Sequence, residues 1–485
     1  MYNNHGVWTN DAPTGGYSRW MELGLDQHTL PMWLRDAGYQ TALVGKYLNH
    51  YYAEHPIPPG WDEWHAMVPG EGKTQLDHYG YQINHNGTIV PYGSDPQDYG
   101  TDVISTTAMQ VLQEFSANDA PYFLYIAPYA PHNPLTPAPR HLNTLDLVYP
   151  RTGAFNERDM SDKPSQYQNL PMYPGGVIND AYSRRVEMLL ALDEMVEQLI
   201  TYLAETDQLD NTYIIYASDN GYLYGEHRLR NKAYPYERSI GVPLVIRGPG
   251  IAANLNRNHL VGLHDLGATI AAMANIIPPV AVDGKSLLQL GTKPTVRVDT
   301  WREALLIESE APLSSYRGIR TNNAAYIEYS NGEREYYNLI QDPDQLENMY
   351  RRLTEETQRA WSAWVEALAT CRGAECRTLE QQAPPVVQTA TLTPTSTTTP
   401  TPIATLTTSP TTTLTPTTTL TPTTTVTPTN TPTRTLINTP TATATDAPTA
   451  TDEPTATNMP TNPPTATAPA NSPPDFNIYL PLALR

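Results

Sequence analysis

From about Gln382 the chain stops offering anything to bury. The sequence turns into Thr/Pro repeats (TPTTTLTPTTTLTPTTTVTPT) that continue to about Pro469. Such a stretch has almost no apolar surface to offset the entropy of ordering, so it is expected to stay extended and disordered. Proline-rich chains favour polyproline II at about 3.1 Å per residue, so residues 385–471 would reach on the order of 270 Å. Folding is thereby confined to the preceding portion of a 485-residue chain, which is long enough for a large core. We expect an α/β domain over residues 1–295, a smaller subdomain over 296–381, the stalk over 382–471 and a short apolar segment over 472–485.

Within that portion, strand-like runs at 41–45, 122–127, 212–217 and 243–247 alternate with helical ones, the pattern of an α/β sheet. The clearest helix covers 180–204, where Met188, Leu192, Met195, Leu199 and Leu203 fall at three- and four-residue spacings on one face. A second amphipathic run covers 264–274. Residues 313–350 read differently, as short alternating segments around Ser330-Asn331-Gly332. That Asn-Gly is a strong hairpin signal and predicts a small antiparallel sheet. The long segments 54–98 and 140–174 read as loops whose Tyr, Trp and His residues suit a sugar-stacking surface.

The formal charge is −20, of which residues 385–485 carry −2 (Asp446, Asp452, Glu453 and Asp475 against Arg434 and Arg485), leaving −18 on the folded part. Nucleic acid is therefore excluded as a general partner, because phosphate backbones attract clustered Lys and Arg. An anionic small substrate is not excluded, since it meets a local pocket and not the mean surface. No apolar run reaches transmembrane length, and the opening MYNNHGVWTND lacks the basic and apolar regions of a signal peptide. The C-terminal FNIYLPLALR reads either as a sorting or docking signal for a cell envelope or as an apolar edge strand.

The stretch 216–250, YASDNGYLYGEHRLRNKAYPYERSIGVPLVIRGPG, carries the chemistry. An apolar run ends abruptly in Asp219-Asn220-Gly221, placing a carboxylate and an amide oxygen together at a strand's C-terminal end. Hard cations such as Ca²⁺ take oxygen ligands of this kind, and open α/β sheets bind ligands at those ends. On spacing alone, Asp-Asn-Gly is most often a turn. The loop that follows supplies His227, Arg228, Arg230 and Lys232. Lys46 ends another strand in Val-Gly-Lys, where a lysine is ordinarily a solvated tip. His132 stands in Ala-Pro-His-Asn-Pro, where prolines on both sides restrict the backbone and hold the imidazole.

Read together, these segments resemble the sulfatase family. SDNG, GEHRL, a Lys and PYE…VPLVIRGPG follow that family's order of motifs. Residues 30–51 (LPMWLRDAGYQTALVGKYLNHY) resemble its LP..L...GY.T...GKYLN block, in the version seen in glucosamine-6-sulfatases and related extracellular sulfatases. Residues 127–134 (APYAPHNP) resemble its APH.P turn, and 282–288 and 316–350 its closing subdomain. The resemblance implies an alkaline-phosphatase-like fold: a mixed, mostly parallel sheet flanked by helices, with a small C-terminal antiparallel sheet. It implies Asp219 and Asn220 as ligands of Ca²⁺ or Mg²⁺, and Lys46, His132 and Lys232 as contacts to sulfate, with His132 near enough to act as general acid. His227 is a weaker candidate, for the leaving sugar or for shaping the loop; Arg228 and Arg230 are surface charges or substrate-rim contacts. Where many sulfatases carry a His two residues after the Lys, this chain has Leu48 and then Asn49.

In that family the nucleophile is a formylglycine made from the Cys or Ser of C/S-x-P-x-R, and a first strand ends in two Asp that complete the metal site. No C/S-x-P-x-R occurs in these 485 residues. Three readings follow: a secreted sulfatase acting on sulfated carbohydrate or aryl sulfate, with Met1 an internal methionine; a non-catalytic glycan-binding module on a stalk; or a phosphoester hydrolase of the same superfamily. The first is favoured, at an extracellular or cell-surface location, with the 485-residue polypeptide inactive as written. The two cysteines, Cys371 and Cys376, either close a small loop in an oxidising compartment or remain thiols in a reducing one. The stalk favours the disulfide. Mass spectrometry after non-reducing digestion of secreted protein should return the linked peptide; two alkylated thiols would refute the assignment.

Overall fold

Strand β1 (Gln40–Lys46) is buried from Thr41 to Gly45, because it lies inside a sheet with a neighbour on each side. The computed structural model describes residues 2–311 and 314–389; the expected stalk from residue 390 onward and the 472–485 segment lie outside the described residues. With β2 (Glu63–Pro69), β3 (Tyr81–His85), β4 (Thr88–Pro91) and β5 (Tyr122–Ala127), β1 forms a sheet of order β4-β3-β2-β1-β5. β2 and β5 run parallel to β1; β3 and β4 add antiparallel pairings at the β2 side. The mixed sheet expected from the sequence is present. Segment 54–98, however, is not the loop it was read as, because β2, β3 and β4 lie within it and Trp64 and Tyr81 are core residues.

Side chains of β1 alternate between two cores, as the two-residue period of a strand requires. Ala42 and Val44 pack with Ile104, Ala108, Val111 and Phe115 of helix α1 (Gly100–Ser116) and with Leu189, Leu192 and Met195 of helix α2 (Gly175–Glu205). Leu43 faces the other way, into a cluster with Tyr17, Tyr51, Trp64, Ala66 and Val68. The apolar stripe predicted for 180–204 is the buried face of α2, which starts five residues earlier. Gly45 is required: a Cβ there would stand 2.1 Å from the Ala127 carbonyl oxygen, and its φ is 120°. Parallel pairing this close, one residue before Lys46, needs the missing side chain.

Strand β6 (Ile214–Ala217) leads to the short hairpin β7 (Leu223–Tyr224) and β8 (Arg230–Asn231), and then to β9 (Leu244–Arg247), which pairs antiparallel with β6. Among the described residues no strand lies along the edge of β5 that faces away from β1, nor along the edge of β6 that faces away from β9. Tyr216 of β6 nevertheless packs against the same core as Ile126 of β5.

The antiparallel sheet anticipated around Asn331-Gly332 has four strands in sequential order: β10 (Ala304–Ala311), β11 (Ser314–Thr321), β12 (Ala324–Tyr329) and β13 (Arg334–Asn338). One face, including Tyr326 and Ile319, is covered by Trp361, Trp364, Val365 and Leu368 of helix α3 (Glu355–Thr370). The other, including Ile327 and Tyr329, packs on Tyr167, Leu223, Leu229 and Tyr236 beneath the β7–β8 loop. Order extends past the expected boundary at Gln382, since Thr389 bridges Leu353 and the Thr354 amide donates to the Gln388 carbonyl. Cys371 and Cys376 are joined by a disulfide.

A buried ion network joins this subdomain to the α/β part. Arg302 donates from Nη1 and Nη2 to both oxygens of Asp265 at 2.6 and 2.8 Å, and from Nε to Glu380 at 2.8 Å, all three residues being at most 1% exposed. Asp265 also accepts the amides of Gly262 and Lys285, so its lone pairs are filled. These hydrogen bonds and Arg302 hold its carboxyl below the usual carboxylate range although burial opposes them. Removing the cation strands two buried carboxylates. Arg302→Ala is therefore expected to lower the unfolding free energy by about 3–5 kcal/mol in urea titration; a loss below about 1 kcal/mol would show that the network is not holding the fold.

Candidate active site

Strands β1, β5 and β6 deliver Lys46, His132 and the Asp219–Asn220 pair from their C-terminal ends, the side on which open α/β sheets bind ligands. Lys46 is the last residue of β1, paired in register with Met67, while Gly45 pairs with Ala127 at the end of β5. His132 follows five residues after Ala127, and Asp219 and Asn220 follow directly after Ala217 of β6. Lys232 comes from the residue after β8. Lys46, Lys232 and Asp219 all act electrostatically on the His132 imidazole. Four residues spread over nearly 190 positions are thus neighbours in space.

Lys46 is oriented by its own loop: its Nζ donates to Asn49 Oδ1 at 2.8 Å and to the Tyr47 carbonyl at 3.1 Å. Asn49, noted in the sequence as part of GKYLN, thereby acquires a role. The His132 ring donates from Nδ1 to the Asn133 carbonyl at 2.7 Å. A carbonyl only accepts, so Nδ1 carries the proton and Nε2 is the nitrogen left to meet a ligand. Packing around the ring, opposed by that hydrogen bond, lowers the His132 pKa below its ordinary value, and Lys232 and Lys46 push it the same way. Neutral imidazole is not a proton donor at Nε2. An anion seated between the lysines reverses their effect and favours the imidazolium, so a general-acid His132 needs its substrate's charge in place.

The hinge of this loop was not legible in the sequence. His78, which is fully buried, donates from Nε2 to the His132 carbonyl at 2.9 Å. The Tyr129 hydroxyl donates to the Asn133 carbonyl at 3.0 Å. On the opposite side, Arg185 of α2 donates to the Pro131 carbonyl and to Asn133 Oδ1. Its only sequence signal is positional: Arg185 continues the apolar stripe through Ala181, Met188 and Leu192 on the buried face of α2, where a charge is out of place.

His227 sits elsewhere. It is 2% exposed, bonds Glu157 Oε2 through Nδ1 at 2.6 Å and packs at a tilt against the Tyr236 ring, centroids 4.1 Å apart, while Lys163 pairs with the other Glu157 oxygen at 3.0 Å. Arg228 donates to the carbonyls of Glu157, Arg158 and Leu170. These contacts tie both residues into the loop, where the sequence had offered His227 for the leaving sugar or for shaping the loop and Arg228 for a surface charge or a rim contact. His227, Arg228, Asn231 and Ala233 all have φ between 50° and 98°. Left-handed backbone at non-glycine positions costs about 1–3 kcal/mol each and persists where surroundings over-determine it. Here the anchors hold the turn that presents Lys232.

Asp219 and Asn220 suit a hard cation by donor type. The Asn220 amide nitrogen donates to the Gly221 carbonyl at 2.9 Å, which leaves its oxygen as the ligand atom beside the Asp219 carboxylate. They supply two of the roughly six to eight oxygens that Ca²⁺ takes; among the described residues no group of three or more His, Cys, Asp or Glu is placed to hold a metal ion. The arrangement as a whole sets two lysines and a histidine beside a carboxylate.

The Sulfatase family model matches residues 1–276, and a second, described as N-sulphoglucosamine sulphohydrolase, C-terminal, matches residues 225–369. Human N-acetylglucosamine-6-sulfatase is 32% identical over 428 residues, covering 78% of this chain and 75% of the human protein. Arylsulfatase from Chlamydomonas reinhardtii is 31% identical, covering 75% of this chain and 64% of the algal protein. The extracellular sulfatase SULF-1 homolog of Drosophila melanogaster is 32% identical over 70% of this chain, which spans 31% of the fly protein. Among solved structures, BT4656 in complex with its substrate D-glucosamine-2-N,6-O-disulfate superposes with a TM-score of 0.59 at 23% identity, over 76% of this chain and 84% of that one. The phosphonate monoester hydrolase SpPMH from Silicibacter pomeroyi gives 0.57 at 18% identity, over 76% and 82%. Both likenesses show a shared fold.

One titration tests the electrostatics of this site. Added inorganic sulfate is expected to move the NMR titration midpoint of His132 to higher pH; a midpoint that stays or falls would mean that no anion settles beside the ring.

Proposed function

The chain belongs to the sulfatase family of sulfuric ester hydrolases, and from that premise we propose that its site receives the sulfate group of a sulfated glycan such as N-acetylglucosamine-6-sulfate. What supports this is that Lys46, Lys232 and Asp219 all lie within electrostatic reach of the His132 ring. Two cations and a histidine that share a site repel one another. An oxyanion offsets that repulsion and draws charge-assisted hydrogen bonds from each. The named substrates of the human relative and of BT4656 support a sulfated glucosamine.

In this reading Lys46 and Lys232 hold sulfate oxygens, and His132 carries a proton on Nε2 toward the bridging oxygen once the anion is in place. Asp219 and Asn220 would hold Ca²⁺ or Mg²⁺, which when bound polarises the sulfate oxygens. These groups orient the ester and stabilise charge, but none of them is a nucleophile toward sulfur. The 485-residue sequence contains no C/S-x-P-x-R for formylglycine formation. We therefore propose that this polypeptide binds sulfate esters and turns over little or none, which makes glycan binding on an extracellular stalk the second reading.

Calorimetry with N-acetylglucosamine-6-sulfate should show binding that Lys46→Ala weakens about 10- to 100-fold, the range for a charged hydrogen bond. Unsulfated N-acetylglucosamine binding equally well would remove the anion site. Steady turnover of an aryl sulfate, lost in Lys46→Ala, would overturn the predicted inactivity.

A further inference from the structure

Arg185 is 7% exposed, and among the described residues no carboxylate pairs with it. A guanidinium removed from water without an opposite charge is retained only where neutral acceptors fill its donors. Here they come from two loops. Nε donates to the Pro131 carbonyl at 3.3 Å and Nη2 to Asn133 Oδ1 at 3.1 Å, while Nη1 donates to the Tyr224 hydroxyl at 3.2 Å. The guanidinium carbon lies 3.8 Å above the Tyr222 ring.

The two loop residues that Arg185 bonds are the ones on either side of His132. The Tyr222–Tyr224 segment lies just past Asp219 and Asn220 and opens the hairpin that ends at Lys232. From the geometry we infer that Arg185 is the positioning residue of the site: its planar fork ties the His132 loop to the β7–β8 hairpin and keeps the His132 Nδ1 proton on the Asn133 carbonyl. His78 secures the same loop from its other side, through the His132 carbonyl. A lysine reproduces the charge but not the fork, whose fixed donors reach Pro131, Asn133 and Tyr224 together. The inference rests on the reading of His132 as an anion-facing group, and its test separates the two.

The test uses the full chain with ¹⁵N-labelled histidine, His132 being assigned by its loss in His132→Asn, and compares wild type with Arg185→Lys. Wild type is expected to show the Nδ1-protonated tautomer. Folded Arg185→Lys, matched by circular dichroism, is expected to show averaged tautomers and inorganic sulfate affinity about tenfold weaker, the size of one lost charged hydrogen bond. A wild-type tautomer pattern in the folded variant overturns the proposal, because a merely structural arginine would leave His132 unmoved. Where Arg185→Lys does not fold, Asn133→Ala at an exposed position removes the Nη2 acceptor alone, and an unchanged His132 tautomer there overturns it equally. Wild type that binds no sulfate would sink the sulfate reading, while the tautomer comparison still decides the role of Arg185.

Discussion

The parallel pairing of β1 with β2 and β5 is the constraint from which the site follows. Burial on both faces fixes the register, since a one-residue slip would exchange Leu43 for Ala42 and Val44 between two different cores. Gly45 lets β5 approach the end of β1. With that register set, Lys46 emerges level with the end of β5, and the loop leaving β5 carries His132 back toward it. Asp219 arrives from β6, which shares the core without sharing hydrogen bonds with β5. Like charges are therefore brought near one another by the pairing of apolar strands, which is the ground on which an anion is proposed as their ligand.

Beneath the cationic point lies a set of buried polar networks that keep its loops in one conformation. Glu157 joins His227 to Lys163, and Arg228 ties three backbone carbonyls to the turn above. Glu335, fully enclosed, accepts from the hydroxyls of Tyr236, Tyr329 and Tyr337, and burial raises its pKa above the usual carboxylate value. Such networks are costly when half-satisfied and rigid when complete. Their completeness lets the 227–233 turn keep several residues in left-handed backbone, and that turn is what points Lys232 at the site. Stability and site geometry thus reside in different residues, with Arg302, Asp265 and Glu380 serving the former and Arg185, His78 and Asn49 serving the latter.

Much of this was legible beforehand, for reasons particular to each element. The α2 stripe from Met188 to Leu203 has the helical period over about four turns, and Asn331-Gly332 has the turn chemistry of a hairpin. Asp219-Asn220 after an apolar run marks a strand end whatever the rest of the sheet does. Segment 54–98 was misread because β3 and β4 are short and the stretches between the strands carry Gly70, Gly72, Gly80 and Gly87, so the alternation of the strands is lost among turn residues. The surroundings of His227 could not be read from the sequence, because a histidine in a polar loop carries no sign of the Glu157 that bonds it, 70 residues away.

The sequence by itself determined the class of fold, the strand ends that carry Lys46, His132 and Asp219, and the absence of a C/S-x-P-x-R nucleophile motif from these 485 residues. These are local properties: periodicity, turn residues and motif spacing all lie within a few neighbours. Only the tertiary structure decided which nitrogen of His132 is available, that Lys46 leans on Asn49, and that Arg185 and His78 grip one loop from two sides. Those facts depend on contacts across tens of residues, set when two cores close on one sheet, and no local pattern encodes where a distant donor will arrive.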